Sequence, residues 1–358
     1  MPSLKEIKGR INSISSTLAI TSAMKMVAAA KLQKAQMAIQ NMLPYERRLH
    51  SMLIDLMGAM NISAAASEDG SVRGSGSAER GFDQSGDRLS LSNRHDLAGM
   101  DGAYSLMAQR QVHRVAIVAF ASNSSLCGAF NSNAIREATA VINEYRASGL
   151  RDSDIVVYSV GRKMAEAMRK LGFPSPADFT KMSDSPSYEA ASALAQELLD
   201  GFVSGRFDKV ELVYNHYKST SSQPTTRQTY LPLSLADATA DLQAGKIADS
   251  ASESDTNRGA EPVGAPVVRQ GSPTTEDLIV EPSKEALIAT LLPKVIRLRI
   301  FTTLLDSAAA EHAARTVAMQ LATDNGNDLL QELTLEYNKG RQQKITSEIL
   351  DLVGGSLQ

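Results

Sequence analysis

An apolar stripe spaced alternately three and four residues apart occupies each end of this chain, and no other feature restricts its fold so tightly. The first stripe runs Leu4, Ile7, Ile11, Ile14, Leu18 and on through Leu32, Ile39 and Leu49 to Met60, broken only at Thr21, Lys25 and Glu46. A 3.5-residue repeat held for about eight heptads is a coiled-coil seam, longer than a globular core requires. At a 1.5 Å rise the predicted helix over 1–61 is roughly 85 Å long. Pro44 should bend it, because proline removes an amide donor and crowds the preceding turn.

The second stripe lies in 276–358. Ser283 is the expected N-cap, and the 3,4 register continues through Ile288, Val295, Leu298, Leu305, Ala309, Met319 and Leu333 to Tyr337. Pro293 and Gly326 are weak points in this helix. Small residues between Ala308 and Gly326 thin the seam and let a partner backbone come close. Neither stripe is stable in water, and each is the nearest cover for the other. The expected solution is an antiparallel two-helix coiled coil made by the two chain ends.

Between the stripes, 111–237 has α/β character and reads as a Rossmann-like domain. Strands are predicted at Val112–Phe120, Ile155–Val160 and Val210–Tyr217, with helices at Asn133–Ala147, Gly161–Leu171 and Tyr188–Val203. Strands separated by helices of this length call for a parallel sheet. Arg227–Leu233 adds an edge strand, and Leu278–Val280 offers one more short strand. Two stretches, 62–110 and 238–275, are rich in Ser, Gly and isolated charges. They cannot bury enough apolar surface to offset their ordering entropy, and both are read as mobile insertions.

The chemistry on offer is sparse. Cys127 is the only cysteine, which excludes an intramolecular disulfide and a thiolate metal site within one chain. His50, His95, His113, His216 and His312 show no metal-ligand spacing, so no metal is expected. SerLeuCysGlyAlaPheAsn at 125–131 sits where doubly wound folds place phosphate loops. It carries only Gly128 and no lysine for phosphates, so a structural turn is the stronger reading and no cofactor is expected.

A net charge of −3 gives no overall reason to expect nucleic acid as a partner. The first 48 residues, however, hold eight basic side chains against Glu6 and Glu46. That pattern fits either a solvated coiled-coil face or contact with an acidic protein surface. No stretch approaches the roughly 20 apolar residues that cross a bilayer, so membrane association should be indirect. No transit peptide precedes Leu4, and a bacterial cytoplasmic chain is expected.

Four segments carry a resemblance. They are IleThrSerAlaMetLysMetValAlaAlaAlaLysLeu at 20–32, LeuCysGly at 126–128, AlaAlaArgThrValAlaMetGlnLeuAlaThrAspAsnGly at 313–326, and TyrAsnLysGlyArgGlnGlnLysIleThrSerGluIleLeuAsp at 337–351. Over nearly its whole length the chain resembles the gamma subunits of F-type ATP synthases. The resemblance implies a non-catalytic rotor shaft, with its terminal helices inside a ring of three alpha and three beta subunits. It implies a middle domain resting on the membrane c-ring, an epsilon subunit as a further partner, and a peripheral position on the cytoplasmic face of the bacterial inner membrane.

It further implies that Met24, Lys25 and Met26 face the acidic lever segment of beta, and that Arg341, Gln342 and Thr346 contact a beta loop higher in the ring. Photosynthetic members carry a redox cysteine pair near the second insertion; none is present here. Two other readings stay open on the residues alone: a ligand-binding α/β module with a coiled-coil oligomerisation arm, and an enzyme using Cys127.

Overall fold

The computed structural model describes residues 3–59, 106–107, 109–233, 281 and 284–356. Helix α1 spans Leu4–Ala59. The middle contains β1 (Val115–Phe120), α2 (Phe130–Ala147), β2 (Ile155–Val160), α3 (Arg162–Lys170), the short α4 (Thr180–Asp184), α5 (Tyr188–Val203), β3 (Lys209–Asn215) and β4 (Thr225–Leu231). Helix α6, Lys284–Ser356, completes the described chain. Pro44 and Pro293 lie inside α1 and α6, and neither ends its helix.

The two long helices pair antiparallel, as the stripes require. Leu4 lies against Gly340 and Leu18 against Gly326. Thr21 Oγ1 meets Thr323 Oγ1 at 3.0 Å, Lys25 Nζ donates to Gln320 Oε1 at 2.6 Å, and Thr302 Oγ1 donates to Glu46 Oε1 at 3.1 Å. Numbers fall on α6 as they rise on α1, nearly one for one. Every seam position from Leu4 to Leu56 on α1, and from Ile288 to Tyr337 on α6, is buried or half-buried.

The sheet order is β2-β1-β3-β4. β1 pairs parallel with β2, Val115 opposite Ile155, and with β3, Val115 opposite Lys209. The parallel sheet expected from the sequence holds for these three strands; β4 instead pairs antiparallel with β3, so the sheet is mixed. The cause is connection length, since a hairpin return leaves no room for a crossover helix.

The alternation of β1 divides the core. Val115, Ile117 and Ala119 face α2 and α3, whereas Ala116, Val118 and Phe120 face α5 and the lower parts of the two long helices. Glu211 lies buried on β3, taking Arg227 Nε at 2.7 Å, Lys209 Nζ at 2.7 Å and the Tyr145 hydroxyl at 2.6 Å. Burial alone would raise its carboxyl, but the bonds from Arg227, Lys209 and Tyr145 win and hold it below the usual range. This cluster fastens β4 and α2 to β3.

Most boundaries lie within a few residues of expectation, and Tyr188–Val203 and Ile155–Val160 coincide with it. Ser187 caps α5, accepting from Ala190 N at 3.2 Å. Leu106, read as part of an insertion, is instead buried against the core, and its carbonyl accepts from Leu233 N at 3.0 Å. Nearly all of 62–110, the stretch 238–275, Leu278–Val280 and the expected cap Ser283 lie outside the described residues.

Candidate functional site

The rod has two levels at which the resemblance places contacts. At the lower one, Lys25 occupies a seam position, its stem covers the seam, and its ammonium is tied across to Gln320. Met24 is half-buried, whereas Met26 is 63% exposed beside Ile20 and Val27, at 61% and 58%. An outward apolar band therefore flanks a charge already held by the partner helix.

At the upper level Arg341, Gln342 and Thr346 are all exposed, and Thr346 Oγ1 donates back to the Gln342 carbonyl at 2.9 Å. Leu4, in the first turn of α1, lies against Gly340, and among the described residues the last turns of α6, past Lys344, have no part of α1 beside them. Ile349, Leu350 and Leu352 stand 55%, 65% and 75% exposed there. The structure does not bring the two groups together: from Gln320 to Arg341 the rise along α6 is roughly 30 Å.

The joint between rod and sheet was not visible as a motif. Doubly wound sheets bind ligands in the crevice beyond the carboxyl ends of their strands. Here the loops leaving β1 and β3 dock on α6. Leu126 and Gly128 take left-handed φ values of 68° and 58°, and a Cβ on Gly128 would sit 3.8 Å from that of Ala318. Cys127 is 1% exposed and packs with Phe130 and Ala310, while Asn131 Nδ2 donates to its Sγ at 3.2 Å. It is a small buried residue in a turn, sealed beneath a helix, not a nucleophile facing a substrate.

Arg315 crosses the same joint. Its Nη1 pairs with Glu311 Oε1 at 2.7 Å, both side chains nearly buried, and its Nη2 reaches out to donate to the exposed Ser124 Oγ at 2.7 Å. Burial pushes the Glu311 carboxyl up against the pull of Arg315. Burial, then the charges of Arg315 and Lys31, press His312 down to about 4, so it is neutral near pH 7.

On the β3 side, Asp306 Oδ2 binds His216 Nδ1 at 2.6 Å and Asp306 Oδ1 accepts from Tyr217 N at 2.8 Å. The Asp306 bond holds His216 above its usual range. Tyr217 reaches on to α1, its hydroxyl accepting from Gln36 Nε2 at 2.7 Å. The only sequence signal for these residues is indirect: Asp306, Glu311 and Arg315 are charges in an otherwise apolar, alanine-rich run, off the seam register.

Among the described residues there is no cluster of metal-ligating side chains, and no helix is long and apolar enough to cross a membrane. A family profile described as ATP synthase matches residues 3–357. The ATP synthase gamma chain of Phocaeicola vulgatus is 46% identical over 357 residues, covering all of both chains. Those of Bacteroides thetaiotaomicron and Flavobacterium johnsoniae are 44% and 35% identical, covering 100% and 99% of this chain and 100% and 98% of theirs.

Among solved structures, the rotor of the Euglena gracilis mitochondrial ATP synthase aligns with a TM-score of 0.51 at 18% identity, over 96% of this chain and 98% of that one. At that identity the likeness speaks for the fold. With end-to-end matches to bacterial relatives well above 30% identity, the chain belongs to the ATP synthase gamma chain family.

Proposed function

We propose that this gamma chain, a non-catalytic central-stalk subunit, couples proton flow through a membrane c-ring to ATP synthesis in an alpha/beta ring by turning as a single lopsided axle. The observation that carries the mechanism is the uncovered surface of the upper rod. Above Thr323 only the seam is buried, while Leu329, Leu335, Leu350 and Leu352 remain 45%, 72%, 65% and 75% exposed. Apolar surface of this extent on a thin rod fits an axle enclosed by partner subunits.

The two helices differ in sequence at every level, so the circumference of the rod is chemically uneven. An uneven rod presses three identical partners differently at any one angle, and such differential contact is what coupling requires. Met24, Lys25 and Met26 are assigned to the acidic lever segment of beta, where Met26 supplies the outward apolar contact. Arg341, Gln342 and Thr346, near the tip of the rod where α1 begins, are assigned to a beta loop higher in the ring.

The globular base is assigned to the c-ring and an epsilon subunit. The complex sits peripherally on the cytoplasmic face of the bacterial inner membrane, a position supported by the bacterial relatives. The test is purification of the tagged chain from its native membrane, with subunit stoichiometry and ATP-driven rotation of a bead attached to the base. Three alpha-type and three beta-type subunits per copy, with rotation, is the expected result. Recovery without those subunits, or a bead that stays still while ATP is hydrolysed, overturns the reading.

A further inference from the structure

Torque that enters the base must reach both helices of the rod, yet the face of α6 at the joint is smooth. Ala308, Ala309 and Ala310, followed by Ala313, lie buried there with little side-chain relief. Helices resist sliding through ridges that fit grooves, and alanine ridges are low. Apolar packing alone is therefore a poor stop against twist at this level.

Tyr217 supplies a stop. It joins two apolar clusters, one of Leu32, Ala309 and Ala313 between the helices, the other of Cys127, Phe130 and Ala310 at the β1 loop. Its ring thus touches both helices and the base. Its hydroxyl accepts from Gln36 on α1 at 2.7 Å, and its amide donates to Asp306 on α6 at 2.8 Å. Both Asp306 oxygens are engaged, the second with His216 at 2.6 Å.

The hairpin loop that presents the ring is itself braced. His216 N donates to Pro224 O at 2.9 Å, and Gln223 Nε2 donates to the Ser219 and Thr220 carbonyls at 3.0 and 2.6 Å. Behind it, Asn215 Nδ2 donates to Phe130 O at 3.1 Å, tying β3 to the start of α2.

We infer that Tyr217 is a torque pin: a positioning residue on the β3–β4 hairpin, seated by Asp306, that locks both helices to the globular base so that shaft and base turn together. This rests on the rotor reading above. Without the ring, twist at this level is resisted only by low alanine ridges and the Arg315–Ser124 bond, leaving the row Leu292, Ile296, Ile300 and Leu304 further down to hold the base, and part of each driven step is lost as slip.

The test uses the assembled complex in inverted membrane vesicles, measuring ATP-driven proton uptake per ATP hydrolysed, and angular fluctuation of a bead on the base with the alpha/beta ring fixed. Tyr217→Ala is expected to lower the uptake-to-hydrolysis ratio at least threefold and to broaden the fluctuation, with hydrolysis within twofold of wild type. Tyr217→Phe, which keeps the ring and loses the Gln36 bond, and Asp306→Asn, which keeps an acceptor and loses the charge, should each lower the ratio less than twofold but measurably.

A residue that only supports folding would lower the yield of complex and leave ratio and fluctuation untouched. Assembled Tyr217→Ala complex with the wild-type ratio overturns the inference. If Tyr217→Ala does not assemble, wild-type ratios in both milder variants overturn it equally. Absence of proton uptake in the wild-type complex would instead bring down the rotor reading itself.

Discussion

The lower and upper parts of the rod obey the same seam but solve different problems. From Ile288 to Met319, α6 is covered on several sides, by α1 along the seam and by the sheet, α5 and two loops elsewhere. From Thr323 upward only the seam is covered, and large apolar side chains face outward. The chain completes its own core where the base must grip the rod. It leaves the core incomplete where partner subunits are proposed to bear on it.

The comparison breaks most readily at Arg315, which stands at the upper edge of the covered part. Its loss leaves the buried Glu311 without its hydrogen-bonded partner and with only the charge of Lys31 set against it, and breaking a buried pair from one side costs about 3–5 kcal/mol. Arg315→Met should lower the stability of the purified chain by that amount in urea unfolding. Adding Glu311→Gln should restore most of it. A double variant no better than the single one would show that the Ser124 bond, and not the ion pair, holds the joint.

How much of this contrast was legible in the sequence depends on the kind of contact. The seam was fully legible, since a 3,4 repeat carries its own register and every seam residue in the described helices is covered. A second row on α6, Leu292, Ile296, Ile300 and Leu304, also lies buried, against the sheet core. It stands in the sequence at i, i+4 spacing, on a face of the helix beside the seam and not on it. The antiparallel β4 could not be read from its own residues, because pairing direction depends on the connection. Tyr217 and Asp306 meet across 89 positions, a separation that leaves no spacing signature.

That second row yields the next prediction. Leu292 is fully buried, and Leu292→Ala should cost about 2–4 kcal/mol, the transfer loss plus the cavity left behind. Leu350→Ala, at a position 65% exposed in the upper part, should change the stability of the purified chain by less than about 0.5 kcal/mol. In the assembled complex the order should narrow or reverse, because the alpha/beta ring would then cover Leu350. Equal effects in the purified chain would remove the distinction between the two parts.

The two histidines of the joint sharpen the comparison through pH. His312 has its folded pKa pressed to about 4 from an ordinary 6.5, so its contribution to stability is complete above 6.5 and is lost as pH falls toward 4. His216 is raised by Asp306, so its contribution is complete below 6.5 and is lost as pH rises through its folded value. His312→Gln should flatten the acid-side loss by about 1–2 kcal/mol relative to wild type. His216, half exposed, should matter by less than about 1 kcal/mol and only on the alkaline side. An unchanged acid limb in His312→Gln would mean that this imidazole is not kept neutral by its burial beside Arg315.

The smallest effects belong to the two glycines that α6 sets against α1. A Cβ on Gly326 would lie 2.6 Å from Leu18 Cδ2 and 3.2 Å from its Cγ, so Leu18 must swing out of the seam. A Cβ on Gly340 would lie 3.1 Å from Leu4 Cδ2, and Leu4, in the first turn of α1, can yield by a few tenths of an ångström. Alanine gains about 1 kcal/mol over glycine inside a helix. Gly340→Ala should therefore stabilise the purified chain by about 0.5 kcal/mol, whereas at Gly326 the lost seam packing should cancel the gain or exceed it slightly. If Gly326→Ala stabilises as much as Gly340→Ala, the close approach at Gly326 is slack, and the rod is no tighter where its outer cover ends than at its tip.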